Sequence, residues 1–268
     1  MFKPIPVVFS SVMLVSTSLP FAFAQAGLPA AHAEVRKDDN ALLPIPGAVL
    51  YNNVYGKGNV TTYWQSVFNG KTETGWEWDW PKSGGPVLRS YPEVLVGRSP
   101  WSGAGGVAGA AGLNAGNQLP RLLKEVHQAI DFDFSTNAGG LWLGSFDFWI
   151  TRSDHPTQKD IVSDLTIWTT NHGVKNPYKG RHTFLKIGGR TYEAIFETPK
   201  ERPDKPWNTL CLVDTDSRNN GSLELGPLMD ALIANGLAKP TDFLATVELG
   251  SEVEYGKGRT ILRTFKLR

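Results

Sequence analysis

The chain has 268 residues, enough for one large domain or at most two small ones, and its 27 Lys and Arg balance 26 Asp and Glu. That neutrality offers no electrostatic footing for nucleic acid or for an anionic membrane surface. Nine Trp, seven Tyr and thirteen Phe, with 28 Gly and 18 Pro, suit an all-β protein with many turns; a single Cys excludes an internal disulfide and a cysteine-held metal cluster.

Met1-Phe2-Lys3 leads into a mostly apolar segment from Val7 to Phe23. It closes on Ala22-Phe23-Ala24, a small-x-small cleavage pattern, with Ala31-His32-Ala33 as a second possible cut. This predicts a secretory signal peptide over residues 1–24. Pro4, Pro6 and Pro20 and the short apolar core argue against a membrane helix, and no later span of about eighteen apolar residues could cross a bilayer. The mature protein is expected to be a secreted or periplasmic monomer with no membrane partner. Residues 25–46 are rich in Ala, Pro and charge without periodicity, so they read as a leader or linker before a domain over 47–268.

Strands are predicted at Ala48–Gly56, Thr61–Val67 and Gly75–Trp80. In the last, Trp76, Trp78 and Trp80 share one face and Glu77 and Asp79 the other. Two uses are open for the indoles, a sugar platform or the filling of a sandwich core. Pro81–Pro86 is a turn and Val87–Tyr91 a strand. Ser102–Gly116 is a flexible loop of Gly, Ala and Ser that lacks the Lys and Ser/Thr of a phosphate-binding loop. Leu122, Leu123 and Val126 suggest a helical turn. Ile130–Phe134 and Leu141–Ile150 alternate strongly, and Asn137-Ala138-Gly139-Gly140 between them reads as a hairpin turn.

Ser163–Trp168 as a strand points Asp164, Thr166 and Trp168 one way and Leu165 and Ile167 the other. Thr183–Ile187 and Thr191–Phe196 pair through Gly188-Gly189, and Thr209–Val213 holds Cys211 as a buried strand residue. A helix from about Gly226 to Asn235 has an apolar stripe of Leu225, Leu228, Met229, Leu232 and Ile233, with Gly236 as its cap. Phe243–Leu249 and Thr260–Leu267 close the chain as two strands. Many short strands and one helix predict a β-sandwich.

Three acids stand out. Asp147 opposes Phe146, Phe148 and Ile150 in parity and lies alongside Trp149; Asp164 shares a face with Trp168; Glu252 and Glu248 oppose Val247 and Leu249. Two carboxylates facing across a groove are what glycoside hydrolysis needs, one to protonate the leaving oxygen and one to attack the anomeric carbon or activate water. Parity alone describes solvated surface acids as well. His127, His155, His172 and His182 have no metal-ligand spacing, and neither a nucleophile elbow nor a dinucleotide fingerprint occurs, so no metal or cofactor is expected.

From about Tyr51 to Phe265 the chain resembles glycoside hydrolase family 12, compact endoglucanase and xyloglucanase β-jelly rolls. Asn52-Asn53-Val54-Tyr55-Gly56 is similar to the family's Asn-Asn-Leu-Trp-Gly, and Arg89-Ser90-Tyr91-Pro92 to its Lys-Ser-Tyr-Pro. Phe146-Asp147-Phe148 resembles the strand whose Asp supports the nucleophile. Ser163-Asp164-Leu165-Thr166-Ile167-Trp168 resembles Tyr-Glu-Leu/Ile-Met-Ile-Trp, which carries the nucleophilic Glu. Leu249-Gly250-Ser251-Glu252 is similar to Phe-Gly-Thr-Glu, which carries the general acid/base.

The resemblance implies a jelly roll of two antiparallel sheets with one packed helix, cutting a β-glucan endo-wise without cofactor. It implies Asp164 as nucleophile or base, Glu252 as acid/base and Asp147 as supporting acid, with Tyr55, Trp168 and Asn53 against a polysaccharide; Trp76 or Trp78 joins them as a stacking candidate from the indole face of its strand. A carbohydrate-binding protein without turnover is the alternative on the same fold. Three departures bear on this. Tyr55 replaces a stacking Trp, and Thr166 replaces a Met, which suggests a site floor altered for a different glucan. Asp164 replaces Glu and is one methylene shorter, so its carboxylate retreats by up to about 1.5 Å. That is enough to carry a pair from the retaining separation, about 5–5.5 Å, toward the inverting range of about 6.5–9.5 Å.

Overall fold

The computed structural model describes residues 34–82, 87–101 and 119–268. The expected signal segment and the Gly- and Ala-rich stretch from Ser102 to Gly116 lie outside these residues.

Period-two alternation builds two stacked layers. The larger one is assembled from β2 (Leu42–Ile45), β3 (Ala48–Val54), β6 (Ser90–Gly97), β9 (Leu141–Thr151), β10 (Ile161–His172), β11 (Arg181–Ile187), β12 (Arg190–Glu197), β13 (Asn208–Asp214) and the first half of β15 (Phe243–Leu267). Its spatial order is β2-β3-β6-β15-β9-β10-β13-β12-β11. The second layer holds β1 (Glu34–Arg36), β4 (Trp64–Asn69), β5 (Thr74–Trp80), the far half of β15, β8 (Ala129–Ala138) and β14 (Asn220–Glu224). A two-residue strand, β7 (Arg121–Leu122), adds to the β15 edge.

Between the layers lie Phe146, Phe148, Ile150, Leu165, Ile167, Val247 and Leu249 from one sheet and Trp76, Trp78, Trp80, Phe132 and Phe134 from the other. The helix α1 (Leu225–Ala234) adds Leu225, Leu228, Met229 and Leu232, matching the predicted stripe. The even-numbered tryptophans of β5 are therefore core. Trp76 donates its indole N–H to Ser251 Oγ at 2.9 Å, and Trp80 donates to Gln65 Oε1 at 3.1 Å while stacking on Tyr63 at 4.0 Å. Trp76 and Trp78, expected as sugar contacts, cannot touch a substrate from there.

Four other expectations change. The segment read as a leader contributes β1, paired with β4, and β2, paired with β3. These strands of three and four residues at sheet edges are too short to show alternation, which is why composition alone suggested a linker. The sheets are also not wholly antiparallel, since β13 runs parallel to β10. The chain leaves β10 for the outer edge at β11 and comes back inward through β12, so β13 arrives in the direction of β10.

The predicted hairpin between β8 and β9 does not form. β8 pairs with β14 and β15, whereas β9 pairs with β10 and β15, in the other layer. Last, the two closing strands are one. β15 passes from the larger sheet to the smaller at Gly256, where Gly139 and Gly140 cross beside it. A Cβ on Gly140 (φ +93°) would sit 2.2 Å from the Tyr255 carbonyl oxygen, and one on Gly256 (φ +115°) 2.1 Å from that of Gly139. The glycines serve a close crossing of backbones rather than a turn.

Because Trp78 is fully enclosed, Trp78→Ala should cost about 3–5 kcal/mol of folding stability, read as a lowered urea midpoint. A substitution that left the midpoint in place would show that the indole is not part of the core.

Candidate active site

The face of the larger sheet opposite the core collects the polar partners of the same strands. Asp147 on β9 lies directly across from Glu248 on β15 and from Thr166 on β10. Asp164 is level with Trp149, two residues along β9, and with Thr209 on β13. Glu252 lies four residues beyond Glu248 on β15, level with Leu143. On the next strand out, Glu93 of β6 is level with Gly250, and Tyr51 of β3 is level with Glu93. Five carboxyls from four neighbouring strands thus share one face.

These acids are scarcely hydrated. Asp164 is 5% exposed, Asp147 and Glu248 are buried and Glu93 is almost sealed, while Glu252 is partly open. Burial, and then mutual repulsion, decides their protonation. Asp147 is pushed well above the usual carboxylate range by desolvation, then by the charges of Asp164, Glu252 and Glu248, against a hydrogen bond from Thr166. Glu252 rises to about 7 through desolvation and the charge of Asp164, opposed by Lys205.

Glu248 also rises to about 7 through desolvation, although it accepts the Trp149 indole N–H at 3.2 Å. Glu93 rises well above its usual range by desolvation and by repulsion from Glu248 and Asp147. One of its oxygens accepts Asn53 Nδ2 at 3.2 Å, and its carboxyl shares a hydrogen bond with that of Glu248.

Asp164 is raised by burial but is opposed by a cation. Lys205 Nζ lies 3.7 Å from Asp164 Oδ2, while Asp164 Oδ1 is buried without a hydrogen-bond partner.

Rings surround this cluster. Trp101, 40% exposed, meets Trp149 and Trp207 edge-on at 5.1 and 5.6 Å. Tyr178 leans on Trp168 at 6.5 Å. Tyr55 is 54% exposed, and its hydroxyl is raised well above its usual range by the surrounding protein and then by Glu252, Asp147 and Glu93.

Of the residues singled out from sequence, Asp147, Asp164, Glu252, Asn53, Tyr55 and Trp168 share the acidic face. Trp168 is not an open platform, because it is buried with Leu143, Val174, Ile195 and Cys211; Tyr178 stands against it. Asn53 is engaged with Glu93. Sequence reading passed over Glu93, Lys205, Trp101, Trp149, Tyr178 and Trp207 as site residues. Glu93 did carry a signal, being a lone acid before the apolar Val94-Leu95-Val96. Lys205 and Trp207 come from an aperiodic loop and carried none.

The two-layer jelly roll is the fold of solved family 12 glycoside hydrolases. The native family 12 xyloglucanase from Bacillus licheniformis superposes with a TM-score of 0.75 at 21% identity, covering 88% of this chain and 99% of that one. Endoglucanase cel12A from Rhodothermus marinus gives 0.68 at 19% identity, covering 87% and 97%. In sequence, Endoglucanase S of Pectobacterium parmentieri is 25% identical over 260 residues, 95% of this chain and 90% of that protein. No family model matches the chain. The resemblance read from five short motifs therefore holds for the fold. Among the described residues no helix is long and apolar enough to cross a membrane.

The raised carboxyls make stability pH-dependent in a defined direction. Glu248 and Glu252 titrate near 7 when folded and near 4.5 when unfolded, so between these values the folded state holds more protons. Stability should fall as pH rises through that window. Urea midpoints measured from pH 4.5 to 7.5 should decline, and Glu248→Gln should make the decline shallower; a midpoint that climbs over this range would contradict the protonated carboxyls.

Proposed function

We propose that this chain is a glycoside hydrolase that cuts a β-glucan of the cellulose or xyloglucan type within its length, exported after loss of residues 1–24. The observation that carries the reading is the pairing on one face of a partly open acid poised near neutrality, Glu252, with a buried acid held beside a cation, Asp164. Support also comes from the fold and from relatives named endoglucanase and xyloglucanase.

In this reading Glu252 holds its proton at neutral pH and gives it to the glycosidic oxygen as the bond breaks. Asp164 meets the electron-poor anomeric carbon, directly through Oδ1 or through a water that it deprotonates. Asp147, raised by burial and then by the charge of Asp164, keeps a proton and so adds no second charge beside it. Burial makes each of these interactions stronger than in water. Tyr55 and the exposed ring of Trp101 offer flat faces for sugar rings.

The short side chain of Asp164 favours a second reading, in which the protein binds a glucan without cutting it.

Release of reducing ends from a panel of β-glucans separates the two. Glu252→Gln should lower turnover by about 100-fold or more while leaving glucan binding within a factor of a few. Unchanged turnover in that variant would remove Glu252 from the reaction, and binding without any release by the parent protein would select the second reading. NMR of the first-formed anomer then tells direct attack, which retains configuration, from attack by water, which inverts it.

A further inference from the structure

Lys205 lies outside every motif that led to the site, yet it reaches the centre of it. The residue sits in the loop between β12 and β13, in Arg202-Pro203-Asp204-Lys205-Pro206-Trp207. Its ammonium is 5.8 Å from the ring centres of both Tyr178 and Trp207 and 3.7 Å from Asp164 Oδ2. Its side chain is 25% exposed and that of Asp164 only 7%. Two aromatic faces and a carboxylate therefore define its position, which a flexible lysine on an open surface does not have.

The surroundings of Asp164 otherwise repel its charge. Asp147 faces it from β9, Glu248 and Glu252 from β15, and Glu93 lies beyond them on β6. Tyr178 and Cys211, from the neighbouring loop and β13, are neutral groups that feel the Asp164 charge. Among the described residues, Lys205 is the cation within ion-pair range of these five acids. It takes one oxygen of Asp164 and leaves Oδ1 without a partner.

We propose that Lys205 is a positioning residue, which holds Asp164 as an anion with one oxygen engaged and the other presented to the reacting carbon or water. The shortened acid and the lysine act as one unit: with a methylene removed, the carboxylate is fixed from the side by the ammonium. This deepens the hydrolase reading and rests on it for the kinetic part of its test.

The experiment compares the parent with Lys205→Gln and Lys205→Arg. Removing an opposite charge at this range raises a carboxyl by about one pH unit or more. In Lys205→Gln the acid limb of kcat/KM should therefore move up by about one unit, with a loss of about tenfold on the limb that recovers at higher pH. Lys205→Arg should return the limb to its original place. An unmoved limb, or an equal loss at every pH, would overturn the proposal.

Carboxyl-carbon NMR with labelled aspartate, assigned by the signal missing in Asp164→Asn, reads the same titration without turnover. A raised Asp164 midpoint in Lys205→Gln supports the ion pair even if the parent cuts no glucan, in which case the hydrolase reading alone fails. An identical midpoint in both proteins defeats the proposal itself.

Discussion

Everything in this molecule depends on the strict two-residue alternation of three adjacent strands, β15, β9 and β10. On β9, Phe146, Phe148 and Ile150 enter the core while Ser145, Asp147 and Trp149 take the opposite face. The same division sets Val247 and Leu249 against Glu248 on β15, and Leu165 and Ile167 against Asp164 and Thr166 on β10. A slip of one residue in any of these strands would bury carboxylates between the sheets and expose phenylalanines, so the packing energy of the core enforces the register of the acids. The site needs no separate scaffold.

That enforced proximity has an electrostatic cost, met by protonation and one cation. Five carboxyls cannot all ionise in so little water. Asp147, Glu93, Glu248 and Glu252 keep protons above the usual carboxylate range; burial raises Asp164 too, but the lysine beside it opposes the shift. Chemically similar groups thus differ through their surroundings alone, one of the five having a cation beside it among the described residues.

Much of this was legible from the chain. The faces of Asp147, Asp164, Glu248 and Glu252 followed from parity, and the helix followed from its stripe and terminal Gly236. What escaped were features decided by distant partners. The three tryptophans of β5 read equally as platform or core until the second sheet was seen to cover them. Gly139-Gly140 has the chemistry of a turn but serves a crossing with Gly256, a contact between residues more than a hundred positions apart in sequence. β1 and β2 are too short to carry a pattern. Lys205 acquires meaning only through a loop whose course no local rule dictates.

The place of β15 bears on how such a chain comes to fold. Residues 243–267 follow all five strands with which they pair, β5, β6, β7, β8 and β9, and form the spine of both layers. Before they emerge from the ribosome, β6 lacks its link to β9 and β5 its link to β8, and neither sheet is continuous. The chain therefore stays open until β15 has been made, then closes around it through contacts of long sequence separation, which makes folding slow.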